Sequence, residues 1–142
     1  MKDIRLQIPC HADYIDIVRV CLYSIASKLD FTYEDIEDMK VAVSEACNNA
    51  VLHGSQEASN NNIDICFQPT ETSLIIKVKN NGSAFAHIEA LEKAAPLQET
   101  DISSLRVGGL GIFLMQALMD QVSVETTDHV TEVTMMKARN NT

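Results

Sequence analysis

Helical periodicity runs unbroken from Thr32 to Gly54 and limits what this chain can fold into more than any other stretch. Ile36, Met39, Val43, Cys47 and Ala50 recur three or four residues apart, which lines one face of an α-helix with apolar groups. Thr32, with Asp35 three positions on, has the form of a capping box, and Glu34, Asp35 and Glu37 suit the positive end of a helix. Gly54 reads as the C-terminal stop. A helix with a single apolar stripe needs a second layer to cover it.

That layer is legible in alternating segments. Ile4, Leu6 and Ile8 alternate with Arg5 and Gln7, and Pro9 ends the strand. Ile63 to Phe67 and Leu74 to Lys79 follow a polar, asparagine-rich loop and are joined by a turn around Pro69-Thr70-Glu71. Val122 to Glu125 and Thr131 to Lys137 read as a closing hairpin. Asp13 is placed to cap an earlier helix running to about Leu29, with Ile17, Cys21, Leu22, Ile25 and Leu29 on its buried stripe. Between Asn80 and Gly108 the periodicity dissolves, apart from a short helical piece near His87 to Ala95. Such an insert in a compact domain is commonly a functional lid or a disordered stretch. Gly108-Gly109-Leu110-Gly111 then opens an apolar helix through Met119. The order predicts one α+β domain over 1–142, a two-layer sandwich with helices on one face of a mixed β-sheet.

At 142 residues the chain fits one domain, and 46% hydrophobic with 22% charged residues sets disorder aside as the main state. Lys and Arg number 11 against 20 Asp and Glu, a formal charge of −9. A domain so acidic repels phosphate backbones and anionic lipid surfaces, so neither nucleic acid nor membrane is an expected partner. No stretch reaches the length of a membrane span, and Met1-Lys2-Asp3-Ile4 lacks the apolar core of a signal peptide. The expectation is a cytoplasmic protein. Cys10, Cys21, Cys47 and Cys66 are too scattered for a metal or disulfide framework and read as small apolar filler.

Three short elements carry chemistry. Glu45 and Asn49 lie four residues apart and project from one helix face, beside the core stripe. An amide oxygen so placed takes one position on Mg²⁺ among phosphates and water, and a carboxylate orients or deprotonates an attacking hydroxyl. Alone, the pair reads as a solvated helix face rather than as a site. Asn80-Asn81-Gly82-Ser83-Ala84-Phe85 directly follows a strand, where a glycine lets a flat ligand approach the backbone; alone it is equally a tight turn. Gly108-Gly109-Leu110-Gly111 at a helix start offers bare N–H groups and a positive helix end to phosphate. It is not a Walker loop, since no Gly-Lys-Ser/Thr follows, nor a dinucleotide fingerprint, since no short βαβ unit surrounds it.

Together and in this order the three elements point to one family. The run from Val43 to Gly54 resembles the N-box of the GHKL (Bergerat-fold) ATPases, and more narrowly that of the bacterial anti-sigma-factor serine kinases, the RsbW/SpoIIAB-like group. Asn80 to Phe85 falls where that family has its first glycine box, and Gly108 to Met115 where it has its second. Ile8-Pro9, Tyr33 to Asp38 and Leu118 to Val122 are also similar, so the resemblance spans nearly the whole chain. It implies a Bergerat fold with a flexible lid over ATP at about 83–108. It makes Glu45 the general base that activates a substrate serine and Asn49 the Mg²⁺ ligand. Asn80 and Gly82 would meet the adenine, and Gly108, Gly109, Leu110 and Gly111 the phosphates. Arg19 falls near where family members present an arginine to protein partners.

One position departs from the family pattern. Its first glycine box normally starts with an Asp that accepts a hydrogen bond from the adenine amino group; here that residue is Asn80. A neutral acceptor loses the charge-assisted part of the bond, about 1 kcal/mol or somewhat more. The resemblance implies a cytoplasmic, homodimeric anti-sigma factor that uses ATP and Mg²⁺. It would sequester an alternative sigma factor and phosphorylate a serine of an anti-anti-sigma (STAS-domain) protein. The alternative left open is a binding-only module of the same fold whose use of ATP has weakened through Asn80.

Overall fold

The structure is a computed structural model that describes residues 1–53, 61–81, 110–128 and 130–139; the helical piece expected near 87–95 and the stop at Gly54 lie outside them. β1 (Ile4–Pro9) leads through one 3-10 turn at Ala12–Tyr14 into α1 (Ile15–Lys28), and α2 (Tyr33–His53) follows. β2 (Asn62–Pro69) and β3 (Ser73–Asn81) pair as a hairpin; α3 (Leu110–Leu118) precedes a second hairpin of β4 (Gln121–Thr127) and β5 (Val130–Ala138). The long helix forms as its pattern dictates. Thr32 Oγ1 accepts from the Asp35 N–H at 3.1 Å, and Ile36, Met39, Val43, Cys47 and Ala50 are all buried.

The entry to α1 differs from the sequence expectation. Asp13 does not cap it: a 3-10 turn intervenes, His11 Nδ1 caps that turn by accepting from the Asp13 N–H at 3.1 Å, and α1 itself starts after Tyr14 without a side-chain cap. The phase of the helix shifts with it. Val18 rather than Ile17 joins Ile15, Leu22, Ile25 and Ala26 in the core, and Ile17 stays 44% exposed.

The sheet order is β1-β2-β3-β5-β4, and all four pairings are antiparallel where a mixed sheet was expected. β3 and β4 do run the same way, as a crossover connection through a helix requires. The β4–β5 hairpin, however, slots β5 between them, so no two parallel strands touch among the described residues. Ile63, Ile65 and Phe67 on β2, Leu74, Ile76 and Val78 on β3, and Val133 and Met135 on β5 alternate onto the inner face. They pack there with the buried residues of all three helices in one core. In the opposite register Arg5, Cys66, Lys77 and Thr134 form a row across the face that carries no helix. Among the described residues no helix is long and apolar enough to cross a membrane.

The end of β5 fastens the helices at one end of the sandwich. Lys137 Nζ donates to the Leu118 carbonyl, the last of α3, at 2.6 Å, and stands 3.7 Å from Asp38 Oδ2 and 3.9 Å from Asp35 Oδ1 in the first turns of α2. Arg139 Nη2 donates to the Leu29 carbonyl at the end of α1 at 3.0 Å. Replacing Lys137 with Met keeps the apolar stem but removes the cation from two partly buried carboxylates and a helix terminus. Lys137→Met is expected to lower stability by about 2 kcal/mol, roughly 6 °C in Tm for a chain of this size, as read by thermal unfolding.

Candidate functional site

Buried polar side chains in an otherwise apolar core mark the other end of the sandwich. Of the four polar residues buried among the described residues, three, Asn49, Asn80 and Thr131, gather where the end of α2 meets β3 and β5. Asn80 continues the inward row of Leu74, Ile76 and Val78, and Thr131 that of Met135 and Val133; the two stand opposite each other in the ladder. Asn80 Nδ2 donates to the carbonyl of Ala50, the residue after Asn49, at 3.5 Å. Thr131 was not among the residues singled out from the sequence. Its signal is a hydroxyl in the inward register of an apolar strand, readable once the face of β5 is known.

α3 begins directly against the Glu45–Asn49 face of α2. Gly111, in its first turn, is buried. A Cβ built there would lie 2.9 Å from Glu45 Oε2, 3.4 Å from Glu45 Cβ and 3.4 Å from Asn49 Nδ2. No glycine among the described residues has positive φ, so glycine is needed at 111 for space and not for a turn. Asn49 is 4% exposed, and its Nδ2 finds no hydrogen-bond partner among the described residues. A buried amide left in that condition costs free energy unless a ligand satisfies it. Half a turn of the amide presents its oxygen instead. A carboxylate, an amide donor unmatched among the described residues and a helix start, whose first N–H groups have no acceptor within the helix, therefore converge. Such a donor set suits a hard cation with phosphate oxygens.

The other expected site residues divide into two groups. Gly82, Gly108 and Gly109 lie outside the described residues, and Leu110 opens α3. Arg19 lies apart from the cleft, fixed to the flank of α2: its Nη1 donates to Ser44 Oγ at 3.0 Å, and Ser44 Oγ donates to the Lys40 carbonyl at 2.7 Å. The tie to Ser44 has no pattern in the sequence, since the two residues are 25 positions apart. Cys47, between Glu45 and Asn49 in the chain, is a packing residue. Burial pushes its thiol up to about 12, and it pushes Cys10 upward too, so neither supplies a thiolate at neutral pH. No group of three metal-ligating side chains occurs among the described residues.

Residues 8–137 match the histidine kinase-like ATPase domain family. Serine-protein kinase RsbW of Bacillus velezensis is 38% identical over 138 residues, which is 96% of this chain and 86% of that protein. RsbW of Staphylococcus aureus is 39% identical over 132 residues, 90% of this chain and 82% of that one. Among solved structures, the RsbU and RsbW domains of Rv1364c from Mycobacterium tuberculosis superpose with a TM-score of 0.70 at 15% identity, covering 99% of this chain and 34% of that one. The SiaB–SiaC complex of Pseudomonas aeruginosa gives 0.68 at 10% identity, covering 95% and 88%. At these identities the two structures speak for the fold alone.

The orphaned donor of Asn49 has a measurable consequence for the ligand-free protein. Asn49→Leu replaces the amide with an apolar group of similar shape and removes the unmet donor. The variant is expected to be more stable by about 1 kcal/mol, roughly 3 °C in Tm. Thermal unfolding without nucleotide checks it.

Proposed function

The chain belongs to the histidine kinase-like ATPase domain family, and from that premise we propose an anti-sigma factor with serine-protein kinase activity that draws on ATP and Mg²⁺. The single observation that carries the proposal is the buried Asn49 amide, whose Nδ2 has no partner among the described residues, beside Glu45 and under the first turn of α3. The relatives named as serine-protein kinases support it over nearly the whole length of the chain.

Each residue then takes a role its position suits. Asn49 would hold Mg²⁺ through its amide oxygen, and the start of α3 with Gly108, Gly109, Leu110 and Gly111 would take phosphate oxygens. Asn80 and Gly82 would line the adenine. Bound Mg²⁺–ATP supplies the γ-phosphoryl group and neutralises the charge of its transfer. Glu45 takes the proton of the substrate serine hydroxyl and so leaves its oxygen free to attack. The segment 83–108 would cover the nucleotide, a role that rests on the resemblance alone.

The proposed partners are an alternative sigma factor, which is sequestered, and an anti-anti-sigma protein of the STAS type, which is phosphorylated. Tyr14, Ile17, Val20 and Tyr23 support a protein-docking surface. They recur every three residues from the end of the 3-10 turn along α1, are 38–69% exposed, and flank Arg19 in the chain. A homodimer and a cytoplasmic setting complete the proposal on the resemblance alone. Asn80 favours a second reading, the binding-only module, because its neutral amide replaces the family's carboxylate at the adenine.

Glu45→Gln separates catalysis from binding, because a base acts in the transition state whereas affinity rests on the base and phosphates. Transfer of labelled phosphate to a purified anti-anti-sigma protein is expected to fall by at least about 100-fold. Affinity for a fluorescent ATP analogue should stay within about threefold. Transfer at the parental rate would remove Glu45 from the role of base.

A further inference from the structure

Alanine is a better helix former than glycine at almost every helical position. Gly111 is nonetheless kept in the first turn of α3, buried and without positive φ. The space it leaves is occupied on one side by the Glu45 carboxylate. A methyl group there would come to 2.9 Å from Oε2, closer than real Cβ atoms stand to their neighbours, while the other two approaches, both 3.4 Å, are nearly ordinary contacts. The atom that must give way is the free end of a long side chain rather than backbone. The helix would therefore stay in place and the carboxylate would swing aside.

We infer that Gly111 is a positioning residue for Glu45: the missing side chain holds open the slot in which the carboxylate lies along the first turn of α3. The inference rests on the proposed kinase function for its consequence, and it goes beyond the phosphate-facing role the glycine-rich run suggests. It makes the notch between α2 and α3 a determinant of the catalytic geometry and not of nucleotide affinity. A base displaced by about 1 Å loses on the order of 100-fold in rate without any change in the groups that hold the ligand.

The test has a spectroscopic arm and a kinetic arm, both on the full chain. In nucleotide-free protein labelled with ¹³C-glutamate, the Glu45 Cδ resonance is identified as the one lost in Glu45→Gln. In Gly111→Ala that resonance is expected to move while Tm stays within about 3 °C. In single-turnover transfer from Mg²⁺–ATP to a serine of a purified STAS-domain protein, Gly111→Ala is expected to lose roughly 30- to 100-fold. Alanine keeps the backbone N–H that would meet phosphate, so the loss in rate should exceed any loss in ATP affinity by at least about tenfold. Aspartate at position 45 shortens the side chain by one methylene and withdraws it from the notch. In the Glu45→Asp background the same Gly111→Ala change should therefore cost under about twofold, a non-additivity that a general packing defect would not produce. An unmoved resonance, a rate loss that tracks ATP affinity, or an equal loss in both backgrounds would overturn the inference. Absence of transfer by the unsubstituted chain would sink the kinase proposal alone, and the resonance would then decide the position of Glu45.

Discussion

A polar group buried without a partner costs about 1–3 kcal/mol, and the arrangement of this domain turns on one that is kept. Asn49 sits four residues after Glu45 on α2, at the seam where α3 begins, with its Nδ2 unmatched among the described residues. Both helices commit to the seam. α2 spends its apolar stripe on the sheet, which turns Glu45 and Asn49 to the side, and α3 lies against them without displacing the Glu45 carboxylate because residue 111 has no side chain. The packing that buries the core thus also sets Glu45 beside a buried amide donor that no described residue matches.

The two ends of the sandwich contrast in this respect. At one end Lys137 and Arg139 reach back from β5 to the last carbonyls of α3 and α1, so helix termini are matched by side chains of the chain itself. At the other end Asn49, Asn80 and Thr131 are buried where α2 meets the sheet, and the Asn49 donor is unmatched among the described residues. The antiparallel order creates that second end. Because β5 slots between β3 and β4, the inward position of β3 held by Asn80 falls beside the inward position of β5 held by Thr131. At Asn49 local consistency is broken at a position where a ligand would restore it.

Much of this was legible in the residues. The long helix was, since its cap and its apolar spacing both act within one element. The strands were as well, within one to two residues at their ends. What escaped depends on relations between elements. Strand order is set by which hairpin inserts where, so the antiparallel sheet could not be read from segment order. A single 3-10 turn, capped by His11, left α1 without the expected Asp13 cap and exchanged Ile17 for Val18 in the core, a shift that a helical wheel started one turn late absorbs without trace. Glu45 and Asn49 were visible as a pair because they share a helix face. The closeness of Gly111 to both, and the tie between Arg19 and Ser44, join residues far apart in the chain. They needed coordinates.

A metal-bound nucleotide is proposed to complete the polar seam of Glu45 and Asn49 between α2 and α3. Calorimetric titration of the unsubstituted chain with ATP, once in Mg²⁺ and once in excess chelator, tests it most directly. Saturable binding of one ATP per chain in Mg²⁺, weakened at least tenfold by the chelator, is the predicted result. Absence of binding at millimolar ATP, or binding indifferent to Mg²⁺, would contradict the account.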